Sequence, residues 1–202
     1  MLRFLSDRIT NFLLSQKTID KEMKAVYIYG IELFLSSVLC VILVVLSGLI
    51  IGRFWESLLF LLSFIFLRKY TGGLHCNSYF ACTATTVLTF FVSVALSEIA
   101  YYFPHSKYIH YSIAVFIVLI ILLLSPVSNP NKPILEEDRV KYKTIAMIIF
   151  CFHFGTMILL KNYINTEIIL VTDFISCVYV ILGLIKNKTE RRISNEVQKS
   201  NG

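Results

Sequence analysis

Residues 68–82 read RKYTGGLHCNSYFAC, from Arg68 to Cys82. The stretch sets two basic residues, the Gly72-Gly73 pair, His75 and the thiols Cys76 and Cys82 between two strongly apolar segments. It is either a polar turn between helices or a reaction centre, and its backbone decides which chemistry is open to it. One unbroken helix would put His75 and Cys82 on the same face but about 10.5 Å apart along the axis, well beyond hydrogen-bonding reach. The residues argue for a break instead. Gly72-Gly73 lets the chain bend or approach another backbone. Asn77 and Ser78 are N-cap types just before the apolar run that begins at Tyr79. Cys82 then falls in about the first turn of a new helix, where the positive end of the helix dipole favours a thiolate.

The rest of the chain is read outward from this break. Of 202 residues, 56% are hydrophobic and 16% charged, and the mean hydropathy is +0.72. Soluble domains average about 25% charged residues, so the composition points to a membrane protein. Six hydrophobic segments follow an amphipathic start: 25–51, 54–67, 79–103, 108–124, 144–160 and 168–185. A span needs about 20 residues, which makes the second segment short unless it borrows from its flanks. In residues 1–17, Leu2, Leu5, Ile9, Phe12 and Leu13 recur at helical spacing, as in a helix lying in the headgroup region. The expected fold is an all-α polytopic membrane protein with about six transmembrane helices plus an N-terminal amphipathic interfacial helix. Residues 1–24 form that amphipathic face, 25–185 the transmembrane domain, and 186–202 a polar, mobile tail.

Basic residues orient it. All of the 19 Lys and Arg except Arg53, Lys107 and Lys161 fall on one side of this arrangement. The positive-inside rule puts that side, with both termini and the His75–Cys82 loop, in the cytoplasm. The basic excess sits at the membrane surface, where anionic lipid accounts for it without nucleic acid. The apolar run Phe12-Leu13-Leu14 is too short for a secretory signal. Five cysteines with no CxxC pair read as reduced thiols and not as a disulfide framework.

A cysteine nucleophile needs a thiolate and a base. Cys82 at a helix start, with His75 folded back from the preceding loop, meets that need. Cys76 is a rival nucleophile, although neighbouring side chains in an extended loop diverge. A packing role for the histidine and the thiols, or a zinc site of His75, Cys76 and Cys82, are the other readings of the same residues. HExxH and GxSxG are absent. Among carboxylates, Glu32 alone lies in the motif's half of a span, about 10 Å deep, either orienting His75 or making a buried contact between helices. Glu56, Glu98 and Asp173 belong to the outer side, and His105, His110 and His153 read as solvent-facing or packed.

The segment resembles the core motif of the accessory gene regulator protein B (AgrB) family. The matching residues are Arg68, Gly72-Gly73, His75 and Cys82, together with the proline-bounded loop Ser125-Pro126-Val127-Ser128-Asn129-Pro130-Asn131-Lys132-Pro133-Ile134. Length, multi-span layout and amphipathic start fit as well, so the resemblance covers nearly the whole chain. It implies a membrane cysteine endopeptidase of the bacterial cell membrane, with His75 as general base and Cys82 as nucleophile. The implied substrate is a short quorum-sensing propeptide with an amphipathic leader. Its C-terminal part is cleaved through an acyl-enzyme thioester and cyclised to a thiolactone or lactone. Gly72, Gly73, Asn77, Ser78 and Glu32 are candidate supporting residues, with backbone N–H groups near Cys82 or the Asn77 and Ser78 side chains as oxyanion donors. Arg68, Lys69 and Lys132 are candidate contacts to substrate or lipid. No cofactor, metal or nucleic acid is expected, and related proteins imply a homodimer. The rival class is a non-enzymatic small transporter or peptide-exporter subunit.

Overall fold

In the computed structural model of the chain, residues 2–74, 76, 78–102, 107–128, 134–160 and 165–200 are described. Among them the structure is helical, apart from connections and one isolated bridge between Gly72 and Val127. The helices are α1 (Leu2–Ser15), α2 (Lys24–Ile50), α3 (Phe54–Thr71), α4 (Tyr79–Tyr102), α5 (Lys107–Leu124), α6 (Glu136–Leu160) and α7 (Glu167–Ser200), with a 3-10 turn at Lys21–Met23. This is the all-α membrane fold that the composition predicts. α2, α4, α6 and α7 are long and apolar enough to cross a bilayer, whereas α5 offers a shorter apolar run at Tyr108–Leu124. Helices suit such a sequence because a bilayer core offers no water to satisfy backbone polar groups.

The boundaries differ from the hydrophobic segments at their charged ends. α3 runs four residues past Leu67, because Arg68 and Lys69 complement the negative end of its dipole. α6 begins at Glu136, with three carboxylates in its first turn. α7 continues to Ser200, through the polar segment expected to be mobile. Lys186 and Glu190, one turn apart and 3.9 Å from each other, support the helix there.

α7 packs against α3, α4, α5 and α6, and α3 packs against α2 and α6. Phe60, Phe64 and Leu67 of α3, Phe90 of α4 and Val180 of α7 are buried in this core. α1 rests on α2. Its buried residues are Ser6 and Thr10, whose hydroxyls donate to the carbonyls of Arg3 and Ser6. Phe4 and Phe12 face outward, each 62% exposed, so the apolar side of this amphipathic helix is left for lipid.

At the end of the bundle remote from the motif, Arg53 binds Glu56 at 3.1 Å and Glu98 at 2.8 Å. Asn165 donates to Glu98 at 3.2 Å. His110 meets Glu167 at 2.6 Å, and the buried His153 Nδ1 lies 3.1 Å from both carboxylate oxygens of Asp173. Of the carboxylates assigned to the outer side, Glu56 and Glu98 are thus partners of Arg53 and Asp173 is the partner of His153. His105 lies outside the described residues.

Candidate active site

The helix carrying Arg68 ends at Thr71, and the next begins at Tyr79. Gly72 closes α3 with φ +72°, its N–H donating to the Arg68 carbonyl at 3.0 Å. That left-handed region suits glycine. A Cβ at Gly72 would also collide with the Val127 carbonyl oxygen. Gly73, at φ +121°, leaves equally little room: a Cβ would stand 2.7 Å from the Tyr179 carbonyl oxygen.

Two distant segments hold the glycine turn. The loop after α5, which includes a cis Ser125–Pro126 peptide, sends the Val127 N–H to the Thr71 carbonyl at 2.9 Å. On the other side, the Leu74 N–H donates to the Tyr179 carbonyl of α7 at 2.8 Å. Gly183, one turn further along α7, lets the backbone of Gly73 and Leu74 approach. The glycine pair, the proline loop and α7 are thus one assembly. Asn187 ties it further, donating to the Ser128 carbonyl at 2.8 Å.

Arg68 is fixed inside this assembly. Its guanidinium lies 4.9 Å from the Phe64 ring centre and 4.6 Å from that of Tyr179, and it donates to the Leu74 carbonyl. The Tyr179 hydroxyl is 2.6 Å from Thr89 Oγ1 on α4. Tyr179 therefore links the turn, the arginine and α4 through three different groups. The sequence reading did not single it out, because an aromatic in an apolar span carries no local signal.

Ser78 caps α4. Its Oγ accepts from the Ala81 N–H at 3.2 Å, and its carbonyl accepts from the Cys82 N–H at 3.0 Å. Cys82 lies in the first turn or so of α4, as expected. Its own N–H and that of Ala81, both among the considered oxyanion donors, are spent on Ser78. Cys82 is half-buried and lines a cavity of about 360 Å³. Ser37 of α2, Ile65, Arg68 and Lys69 of α3, Gly72, Thr86 of α4, and Val127 and Ile134 of the proline loop form the other walls. The Arg68 charge is within electrostatic range of Cys82 there. The pocket thus brings a thiol, a fixed cation and an apolar wall together.

The two flanking thiols are also close. Cys76 Sγ lies 3.6 Å from Thr85 Oγ1, and Cys40 of α2 faces Thr86. The Glu32 carboxylate faces the Tyr79 hydroxyl at the start of α4. His75, Asn77 and Lys132 lie outside the described residues.

Residues 6–185 match the family model described as accessory gene regulator B. The chain is 32% identical over 158 residues to an AgrB-like protein of Listeria innocua, covering 77% of this chain and 73% of that one. It is 30% identical over 145 residues to an AgrB-like protein of Clostridium perfringens strain SM101, covering 70% and 68%. An AgrB-like protein of Clostridium beijerinckii matches at 27% over 192 residues, 90% of this chain and 89% of its own. No solved structure matches the chain.

Proposed function

The chain belongs to the accessory gene regulator B family, and from that premise we propose that it is a membrane cysteine endopeptidase of quorum-sensing propeptides. Cys82 is the nucleophile and His75 the general base. The observation that carries this reading is the placement of Cys82: early in α4, on the wall of a cavity that Arg68 also lines. Half-burial of the sulfur works against a thiolate, and a cation and a helix N-terminus both work for one.

The reaction proceeds by two acyl transfers. Cys82 Sγ attacks a peptide carbonyl near the substrate's C-terminal part, and its proton passes to His75. The C–N bond breaks as the imidazolium protonates the leaving amine, releasing the tail and leaving a thioester. A thiol within the bound peptide, or a hydroxyl, then attacks the same carbonyl. The Cys82 S–C bond breaks and a macrocycle forms. Exchange between thiols costs little, so the acyl group stays activated. Water must be kept from it, which the apolar walls at Ile65, Val127 and Ile134 favour. Glu32 orders the start of α4 through Tyr79. The site faces the cytoplasm, the substrate leader lies along the membrane, and two copies associate.

Coexpression with a candidate propeptide tests the assignment. Cys82→Ala and His75→Ala each leave the propeptide whole. Cleavage at the wild-type rate by either variant removes the role proposed for that residue, and cleavage by both favours a transporter or exporter subunit.

A further inference from the structure

Three thiols lie within electrostatic range of one guanidinium. Arg68 shares a cavity wall with Cys82, its charge also reaches Cys76 and Cys40, and all five cysteines of the chain are free. At 3.6 residues per turn, Thr85 and Thr86 lie one turn beyond Cys82, about 60° to one side of it and about 40° to the other. Cys76 Sγ lies 3.6 Å from Thr85 Oγ1, and Cys40 faces Thr86. The proposed nucleophile therefore has a thiol on each flank. The two flanks are not equivalent. Cys40 lies mid-way along α2, in a packed helix pair with α4. Cys76 lies between α3 and α4, outside both helical backbones. A disulfide needs Cα atoms about 4.4–6.8 Å apart with Cβ vectors facing, and a residue outside the helices meets that demand with less distortion.

We propose that Cys76 is the resolving thiol of a reversible oxidation at Cys82, with hydrogen peroxide as oxidant. The inference rests on the reading of Cys82 as a thiolate held beside Arg68. The Cys82 thiolate attacks a peroxide oxygen, the O–O bond breaks, and the departing oxygen leaves as water after taking a proton. Cys82 is then a sulfenic acid. Cys76 attacks the Cys82 sulfur as its thiolate. The S–O bond breaks, a second water leaves with the Cys76 proton, and a disulfide joins the two residues. The two thiols lose two electrons, and the peroxide gains them. A small dithiol reverses the bond by exchange. Such a bond in a reducing compartment is transient and redox-sensing. It blocks the nucleophile, and it also keeps the sulfur from the irreversible sulfinic state.

The experiment uses the full chain in liposomes, treated with hydrogen peroxide, alkylated with N-ethylmaleimide, digested and mapped by mass spectrometry. The expected map shows Cys76 and Cys82 joined and Cys40 alkylated. In the wild type, dithiothreitol restores propeptide cleavage after peroxide. In Cys76→Ser, which cleaves normally before treatment, recovery falls about ten-fold or more as Cys82 passes to sulfinate. A Cys40–Cys82 peptide, or Cys82 sulfinate in the treated wild type, overturns the proposal, as does full recovery in Cys76→Ser. The map needs no turnover. A joined Cys76–Cys82 pair in a protein whose Cys82→Ala variant still cleaves supports the thiol pair and counts against the peptidase reading alone.

Discussion

Gly183 on α7 lies directly against Gly73: a Cβ at position 183 would stand 2.6 Å from the Gly73 carbonyl carbon and 2.8 Å from the Leu74 nitrogen. This contact lets the Leu74 N–H reach the Tyr179 carbonyl. Gly183→Ala is expected to push the glycine turn off α7, at a cost of about 1–3 kcal/mol. Propeptide cleavage falls with it, while helix content by circular dichroism holds. Gly30→Ala and Gly155→Ala are the controls, since nothing lies within 4 Å of a Cβ at either position. Both leave cleavage unchanged.

Arg68 yields a second prediction, because its charge and its shape do different things. The planar guanidinium fits between the Phe64 and Tyr179 rings while donating to the Leu74 carbonyl. A lysine keeps the charge and loses the stacked, forked geometry. Arg68→Lys is therefore expected to impair cleavage nearly as much as Arg68→Gln. The rate of Cys82 alkylation by iodoacetamide at a fixed pH separates the two. It slows in the glutamine variant, where no cation faces the thiol, and stays closer to wild type in the lysine variant.

The hydrogen-bonded pair of His153 and Asp173 is buried at both ends, with 7% and 1% of the side chains exposed, and takes no part in the proposed chemistry. Removing one member of such a pair costs about 3–5 kcal/mol, whereas an apolar replacement of both is often neutral. Asp173→Asn and His153→Phe are each expected to lower the thermal midpoint in detergent. The double variant His153→Phe with Asp173→Leu recovers most of the loss. Cleavage per folded molecule stays at the wild-type value in all three, which places the pair in stability and not in catalysis.

The helices and the break between α3 and α4 were legible because each rests on local information. Apolar runs of membrane length, a glycine pair and a cap residue before Tyr79 are all written within a few residues of where they act. The cradle of the site was not. Tyr179 and Gly183 sit in an apolar span and meet the motif only once α7 packs on α3. Cys40 is likewise far from Cys82 in sequence and near it only through the pairing of α2 with α4. Ser78 was readable as a cap type from its place before Tyr79, and it accepts from the Ala81 and Cys82 N–H groups. The ends of α3, α6 and α7 ran past the hydrophobic segments because charged residues extend a helix that apolar residues start.

Ser78 gives the last prediction, since its two roles can be separated by substitution. As an N-cap it accepts from the Ala81 N–H, and Ser78→Ala leaves that donor to water at a cost of about 1 kcal/mol. Aspartate caps as well as serine does, and its charge complements the helix dipole. Ser78→Asp is therefore expected to hold or raise the thermal midpoint. The same carboxylate stands one helical turn from Cys82, where it opposes a thiolate that Arg68 and the helix terminus favour. Alkylation of Cys82 and propeptide cleavage should both slow in this variant, and the deficit should shrink as salt screens the exposed carboxylate. In Ser78→Ala the loss runs the other way, with a lower midpoint and an alkylation rate near wild type. If both variants change only the midpoint, the electrostatic environment of Cys82 is not what makes its sulfur reactive.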